Sequence, residues 1–117
     1  MKNDSPATSP LSPASLHILL ALAGEDLHGY GIIQEIARQS QGNYRPGPGT
    51  LYDNLKKLMD QKLVMDLPRA AYPKDEDRRL YRITPSGQAV LSTEIERLKG
   101  LVLTAQTRLR ERKPRSV

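Results

Sequence analysis

A chain of 117 residues with 38% hydrophobic content suits one domain around one small core, and without Trp or Phe that core must be aliphatic, leaving aromatic chemistry to five tyrosines. The lack of Cys excludes disulfides, thiol catalysis and cysteine zinc sites, and only two histidines argue against a histidine metal cluster, so neither a metal nor a cofactor is expected. A net charge of +5, from 18 Lys and Arg against 13 Asp and Glu, with a sequence pI near 9.7, points to an anionic partner, most often nucleic acid.

Residues 1–13 are dominated by Ser, Pro, Thr and Asn with little to bury, which predicts a flexible arm. Ser15 is placed to cap a first helix that runs through Leu16, Ile18, Leu19, Leu20 and Leu22 and stops at Gly24. Apolar nearly all round, this helix needs cover on more than one side, from its own domain and from a second subunit. The longest apolar run, Ile18 to Ala23, is far short of the roughly 20 residues that cross a bilayer, and no charged-then-apolar signal precedes it. A soluble, cytoplasmic protein with no membrane partner is expected.

In GEDLHGYGIIQEIARQSQGN, Ile32, Ile33 and Ile36 form one stripe with Ala37 beside it, predicting a second helix that fades at Gln41 and Gly42. The Gly29-x-Gly31 pair follows a helix and lacks a third glycine, so it does not make a dinucleotide loop. Next, RPGPGTLYDNLKKLMDQKLV places Gly47 as the cap and Pro48 as the first residue of a third helix, because proline has its φ preset and lacks an N–H that would go unbonded there. Leu51, Leu55, Leu58 and Met59 recur on one side; at about 100° per residue the other side carries Gly49, Asp53, Lys56, Lys57 and Asp60, with Thr50 and Tyr52 on the flanks.

Leu63 to Leu67 and Leu80 to Thr84 read as two short strands joined by the polar loop PRAAYPKDEDRR. Asp75, Glu76 and Asp77 in that loop have no hydrophobic pocket or metal-ligand partner, and no nucleophile and base pair is apparent elsewhere, so no enzyme activity is expected. Thr84 or Ser86 then starts a long helix in which Leu91, Ile95, Leu98, Val102, Ala105 and Leu109 step by four and three, a heptad seam for dimerisation.

Three helices, a hairpin with a basic tip and a long helix make a mainly α fold: a winged helix-turn-helix with an appended dimerisation helix. The expected division is an arm over 1–13, a DNA-binding domain over 14–84, a dimerisation helix over 85–112 and a basic tail over 113–117. A helix read against DNA must present a fixed first turn, and Gly49 keeps that surface low. The alternative is a winged-helix module that binds another protein, which should carry apolar residues on the outer face of the third helix; that face is charged instead.

HGYGII at 28–33, RPGPGTLYDNLKKL at 45–58 and RRLYRITPSGQAVL at 78–91 resemble the signature blocks of the PadR family of bacterial transcriptional regulators, over the chain from about Leu11 onward. The single C-terminal helix is similar to the short subfamily. This resemblance implies a homodimeric repressor of an inverted-repeat operator in double-stranded DNA, relieved in relatives by small-molecule inducers of which nothing here specifies one. It makes the third helix the recognition helix, with Thr50 and Tyr52 near the sugar-phosphate backbone, Lys56 and Lys57 on phosphates or bases, Tyr30 facing a neighbouring phosphate, and Arg78 and Arg79 in the wing. Asp53 is read as an acceptor for the amino group of a cytosine. Departures from the family pattern are Gly47 where a capping side chain is common, the acids at 75–77, and no tryptophan for a flat-drug site between subunits.

Overall fold

The computed structural model describes residues 10–71 and 78–114. Helix α1 spans Pro13–Gly24, and its cap is Ser12 rather than the expected Ser15. Pro13, with its preset φ, takes the first helical position, so the Ser12 hydroxyl accepts a hydrogen bond from the Ser15 N–H at 3.1 Å. Residues 10–13, expected in the arm, therefore join the body, and Leu11 packs on the core; the arm over 1–9 lies outside the described residues. Ile18, Leu19 and Leu22 are 0–2% exposed because α1 is covered by the three other α-helices and by the sheet.

Strand β1 (Leu27–His28) leads directly into α2 (Gly29–Gln39), whose first turn is capped by His28, Nδ1 accepting from the Gly31 N–H at 3.1 Å. Ile32, Ile33 and Ile36 bury the expected stripe. Helix α3 (Pro48–Asp60) starts as the sequence predicts, with Gly47 at the cap, no side-chain cap bond and Pro48 first. Its far end closes with Lys62 at φ 63°, the Lys62 N–H reaching the Met59 carbonyl and the Leu63 N–H the Leu58 carbonyl, both at 2.9 Å.

Strands β2 (Val64–Asp66) and β3 (Leu80–Ile83) form the expected antiparallel hairpin, with Val64 opposite Ile83 and Asp66 opposite Tyr81. The sheet nevertheless has three strands in the order β1-β3-β2. The added strand pairs Leu27 with Tyr81, and a two-bond clip from Arg82 to Asp26, 3.1 and 2.8 Å, grips it beside β3. The wing acids Asp75, Glu76 and Asp77 lie outside the described residues.

Helix α4 (Pro85–Arg110) is capped by Thr84, whose hydroxyl accepts from the Gly87 N–H at 2.9 Å and donates to the Lys62 carbonyl at 2.7 Å. Gly87 lets α4 seat on the end of α3, since a Cβ there would stand 2.1 Å from the Leu63 carbonyl oxygen. At 1.5 Å per residue the 26-residue helix is about 39 Å long, and its buried residues, Gly87, Leu91 and Glu94, all lie between Pro85 and Glu94. The rest projects, so the radius of gyration is 17.8 Å against roughly 13 Å for a compact chain of this length. The architecture is the winged helix-turn-helix with a long terminal helix. Among the described residues no helix is long and apolar enough to cross a membrane.

Candidate nucleic-acid interface

Helix α3 is anchored from below and bare above. Leu51, Leu55 and Leu58 are at most 1% exposed, which fixes the rotation of the helix, while Gly49, Thr50, Tyr52, Asp53, Lys56 and Lys57 all stand in solvent. Gly49 has open space around it, as a low surface requires. The Thr50 carbonyl accepts from Asn54 Nδ2 at 2.8 Å. Lys56 reaches Asp60 at 3.6 Å in a fully hydrated pair of little energetic weight. Neither Lys57 nor Asp53 has an ion-pair partner among the described residues.

Tyr30 and Tyr52 are both about half exposed, at 53% and 50%. Tyr30 is the second residue of α2, and Tyr52 of α3 lies over Gly29, the first residue of α2. The two helix starts thus meet through a phenol resting on a glycine. In the sequence Gly29 stands out only as half of an incomplete dinucleotide motif; its position at a helix start, where nothing forbids a side chain, is the signal of a close approach.

The wing departs from expectation in part. Arg79 donates to the carboxylate of Asp66 at 2.6 Å across the hairpin, so it is already engaged, although 60% of its side chain remains in solvent. Arg78 is exposed just outside β3. Arg82 is held by Asp26, and this hydrogen-bonded carboxylate raises its pKa above the ordinary arginine range.

The expected seam on α4 divides in two. Leu91 is 5% exposed in the core of its own domain, a correction to its place in the dimer seam: the first turns of α4 serve the fold. Ile95, Leu98, Val102, Ala105 and Leu109 lie beyond the core, with Ile95, Val102 and Leu109 38%, 54% and 74% exposed. Leu101 and Leu103, which a heptad count skips, are 54% and 63% exposed on either side of that line. Being two residues apart through the seam, they widen the spread of apolar side chains to about 200°, with Lys99 and Gln106 set among them between Val102 and Leu103.

The model of the transcriptional regulator PadR-like family matches residues 18–93. A transcriptional regulator of Mycobacterium tuberculosis is 37% identical over 86 residues, 74% of this chain and 76% of that protein. A PadR family transcription regulator from Clostridium difficile superposes with a TM-score of 0.71 at 18% identity, over 84% of this chain and 99% of that one. Bacillus subtilis PadR, solved in complex with operator DNA, superposes with a TM-score of 0.56 at 24% identity, over 67% of this chain and 44% of its own.

Proposed function

The chain belongs to the PadR-like family of transcriptional regulators, and from that premise we propose that it is a cytoplasmic homodimer that represses transcription by occupying an inverted-repeat operator. One observation carries this reading: α3 turns a buried leucine stripe to the core and a polar face with an uncapped, glycine-opened first turn to solvent. In the proposed complex that face enters the major groove, Tyr30 and Tyr52 meet the sugar-phosphate backbone on either side of the junction between α2 and α3, and Arg78 and Arg79 follow the backbone beyond. Lys56 and Lys57 supply phosphate or base contacts, and Asp53 selects a base. That Bacillus subtilis PadR, which shares this fold, is known in complex with operator DNA supports operator binding.

The dimer forms through α4. An apolar arc of this width on a helix that leaves its own body is far more than one solvated helix tolerates, and it is wider than a single partner helix covers. A second subunit offers two surfaces, its own α4 and the exposed side of α1 at Leu20, which is 36% exposed. Two-fold symmetry then sets the half-sites about one helical turn apart. Relief by a small-molecule inducer would act on the groove lined by Leu11, Ser15, Gln61, Leu63 and Val90, because that groove touches the end of α3 and the start of α4 at once.

The test is a footprint of the purified chain on the DNA upstream of its own gene and its neighbours. Two protected half-sites one turn apart are expected, with light scattering giving about twice the 13.1 kDa chain mass. A monomer that protects no DNA would remove the reading.

A further inference from the structure

Past Leu91 the next inward position of α4 is an acid. Glu94 is 5% exposed, and its carboxylate is fully used: Oε2 accepts from the Leu11 N–H at 3.3 Å, while Arg97 donates from Nε to Oε1 at 2.8 Å and from Nη2 to Oε2 at 2.7 Å. The Arg97 guanidinium holds the carboxyl below its ordinary range against the opposing effect of burial. Leu11 stands just ahead of the α1 cap and packs on the core. The bond therefore ties α4 to its own body at the last buried residue of the helix. Beyond it, residues 95–110 run for about 24 Å.

A leucine would fill an inward helical position at less cost than a carboxylate that must be desolvated. A buried carboxylate is weak evidence for stability and stronger evidence for selection of one geometry: Arg97 travels with α4, but a shifted helix loses the bond from the Leu11 N–H. An apolar contact permits α4 to tilt over the body; Arg97, one turn further along the same helix, keeps the carboxylate charged and oriented, and the bond from the Leu11 N–H then holds in one arrangement of α4 against the start of α1.

We propose that Glu94 is a positioning residue that fixes the angle at which α4 leaves the DNA-binding body and thereby sets the operator half-site spacing. The inference rests on the homodimer described above. Where two copies join along α4, each exit angle determines how far apart the recognition helices stand. On a lever of about 24 Å, a tilt of about 10° moves the end by about 4 Å, more than the 3.4 Å step of one base pair. Glu94 touches no DNA, so its effect appears in spacing and not in the reading of each half-site.

The experiment uses the full chain and a site selected from random DNA, rebuilt with the spacer lengthened or shortened by one base pair. For the wild type, affinity falls about tenfold or more on either change. For Glu94→Gln it falls less than about threefold, with the same half-site preference and the same dimer mass. Should Glu94→Gln fail to fold by circular dichroism, Glu94→Leu, which fills the inward position and cannot accept from the Leu11 N–H, makes the same test. A folded dimeric variant with the wild-type spacing profile overturns this inference alone. A wild type that is monomeric, or that selects no paired half-sites, overturns the dimer reading and this inference with it.

Discussion

The phenol of Tyr52 occupies the space in which a side chain on Gly29 would begin, with a Cβ there standing 2.2 Å from the hydroxyl oxygen and 2.9 Å from Cζ. Gly29→Ala must displace the ring, yet Tyr52 is half exposed and free to swing outward, so folding loses little. The expected result is a melting temperature within about 5 °C of wild type, about 1 kcal/mol, with DNA affinity weakened about tenfold. In a Tyr52→Ala background the same change should cost no further affinity, because the ring is already gone. Equal losses in both backgrounds would show that Gly29 acts by another route.

Gly87 presents the opposite case. Its missing Cβ would meet the Leu63 carbonyl at 2.1 Å and Ile83 Cγ1 at 2.8 Å, and the backbone cannot swing aside. Gly87→Ala should unseat the start of α4 from the end of α3 at about 3 kcal/mol, lowering the melting temperature by about 10–20 °C. A loss under about 3 °C would mean that α4 can shift along its cap without consequence.

Lys62 closes α3 at φ 63°, a conformation that disfavours an L side chain by about 1 kcal/mol or more. Lys62→Gly removes that strain but gains unfolded-state freedom, so the net expectation is a stabilisation of about 0.5–1 kcal/mol, read as a rise of a few degrees in thermal unfolding. A fall in melting temperature would show instead that the lysine side chain stabilises the turn.

Where backbone chemistry acts locally, the fold was legible. Pro48 after Gly47 announced the start of α3, and the isoleucines at 32, 33 and 36 announced the buried side of α2. Ser15 reads as the cap because Ser12 stands before a proline, which suggests a loop, whereas Pro13 is the first helical residue. Strand β1 is two residues long, too short to alternate, and exists because β3 has a free edge and Arg82 finds Asp26 56 residues away. Pairings at such separations, including Arg79 with Asp66, leave no trace in composition. On α4 a heptad count assumes one partner for the whole helix; here the stretch from Pro85 to Glu94 belongs to the core, and Leu101 and Leu103 fall outside a line drawn for a single seam.

Lysines 56 and 57 should separate in a salt titration. Each phosphate neutralised contributes about 0.9 to the slope of log affinity against log salt, so Lys57→Ala is expected to lower the slope by about one and to weaken all sequences alike. Lys56 must leave Asp60 to reach DNA, and Asp60→Ala should therefore tighten binding by a few-fold at low salt. A slope unmoved by Lys57→Ala places that lysine off the interface.

Asp53 is an acid on a face otherwise suited to phosphate. Its structural role would be to offer charge to the helix N-terminus, worth about 0.3–1 kcal/mol, but that effect falls off within the first turn, and the first turn of α3 holds no acidic residue. Asp53 stands five residues after Pro48 and is exposed, so its charge does little for the helix and faces whatever α3 meets. A carboxylate there repels phosphates while accepting a hydrogen bond from the N4 amino group of cytosine, giving up affinity for selectivity. Asp53→Asn is accordingly expected to tighten binding to random DNA about three- to tenfold and to narrow the gap between operator and non-operator sequences, with the melting temperature within about 2 °C. If both affinities hold and only the melting temperature falls, the carboxylate serves the helix after all, and base selection belongs to other residues on the same face.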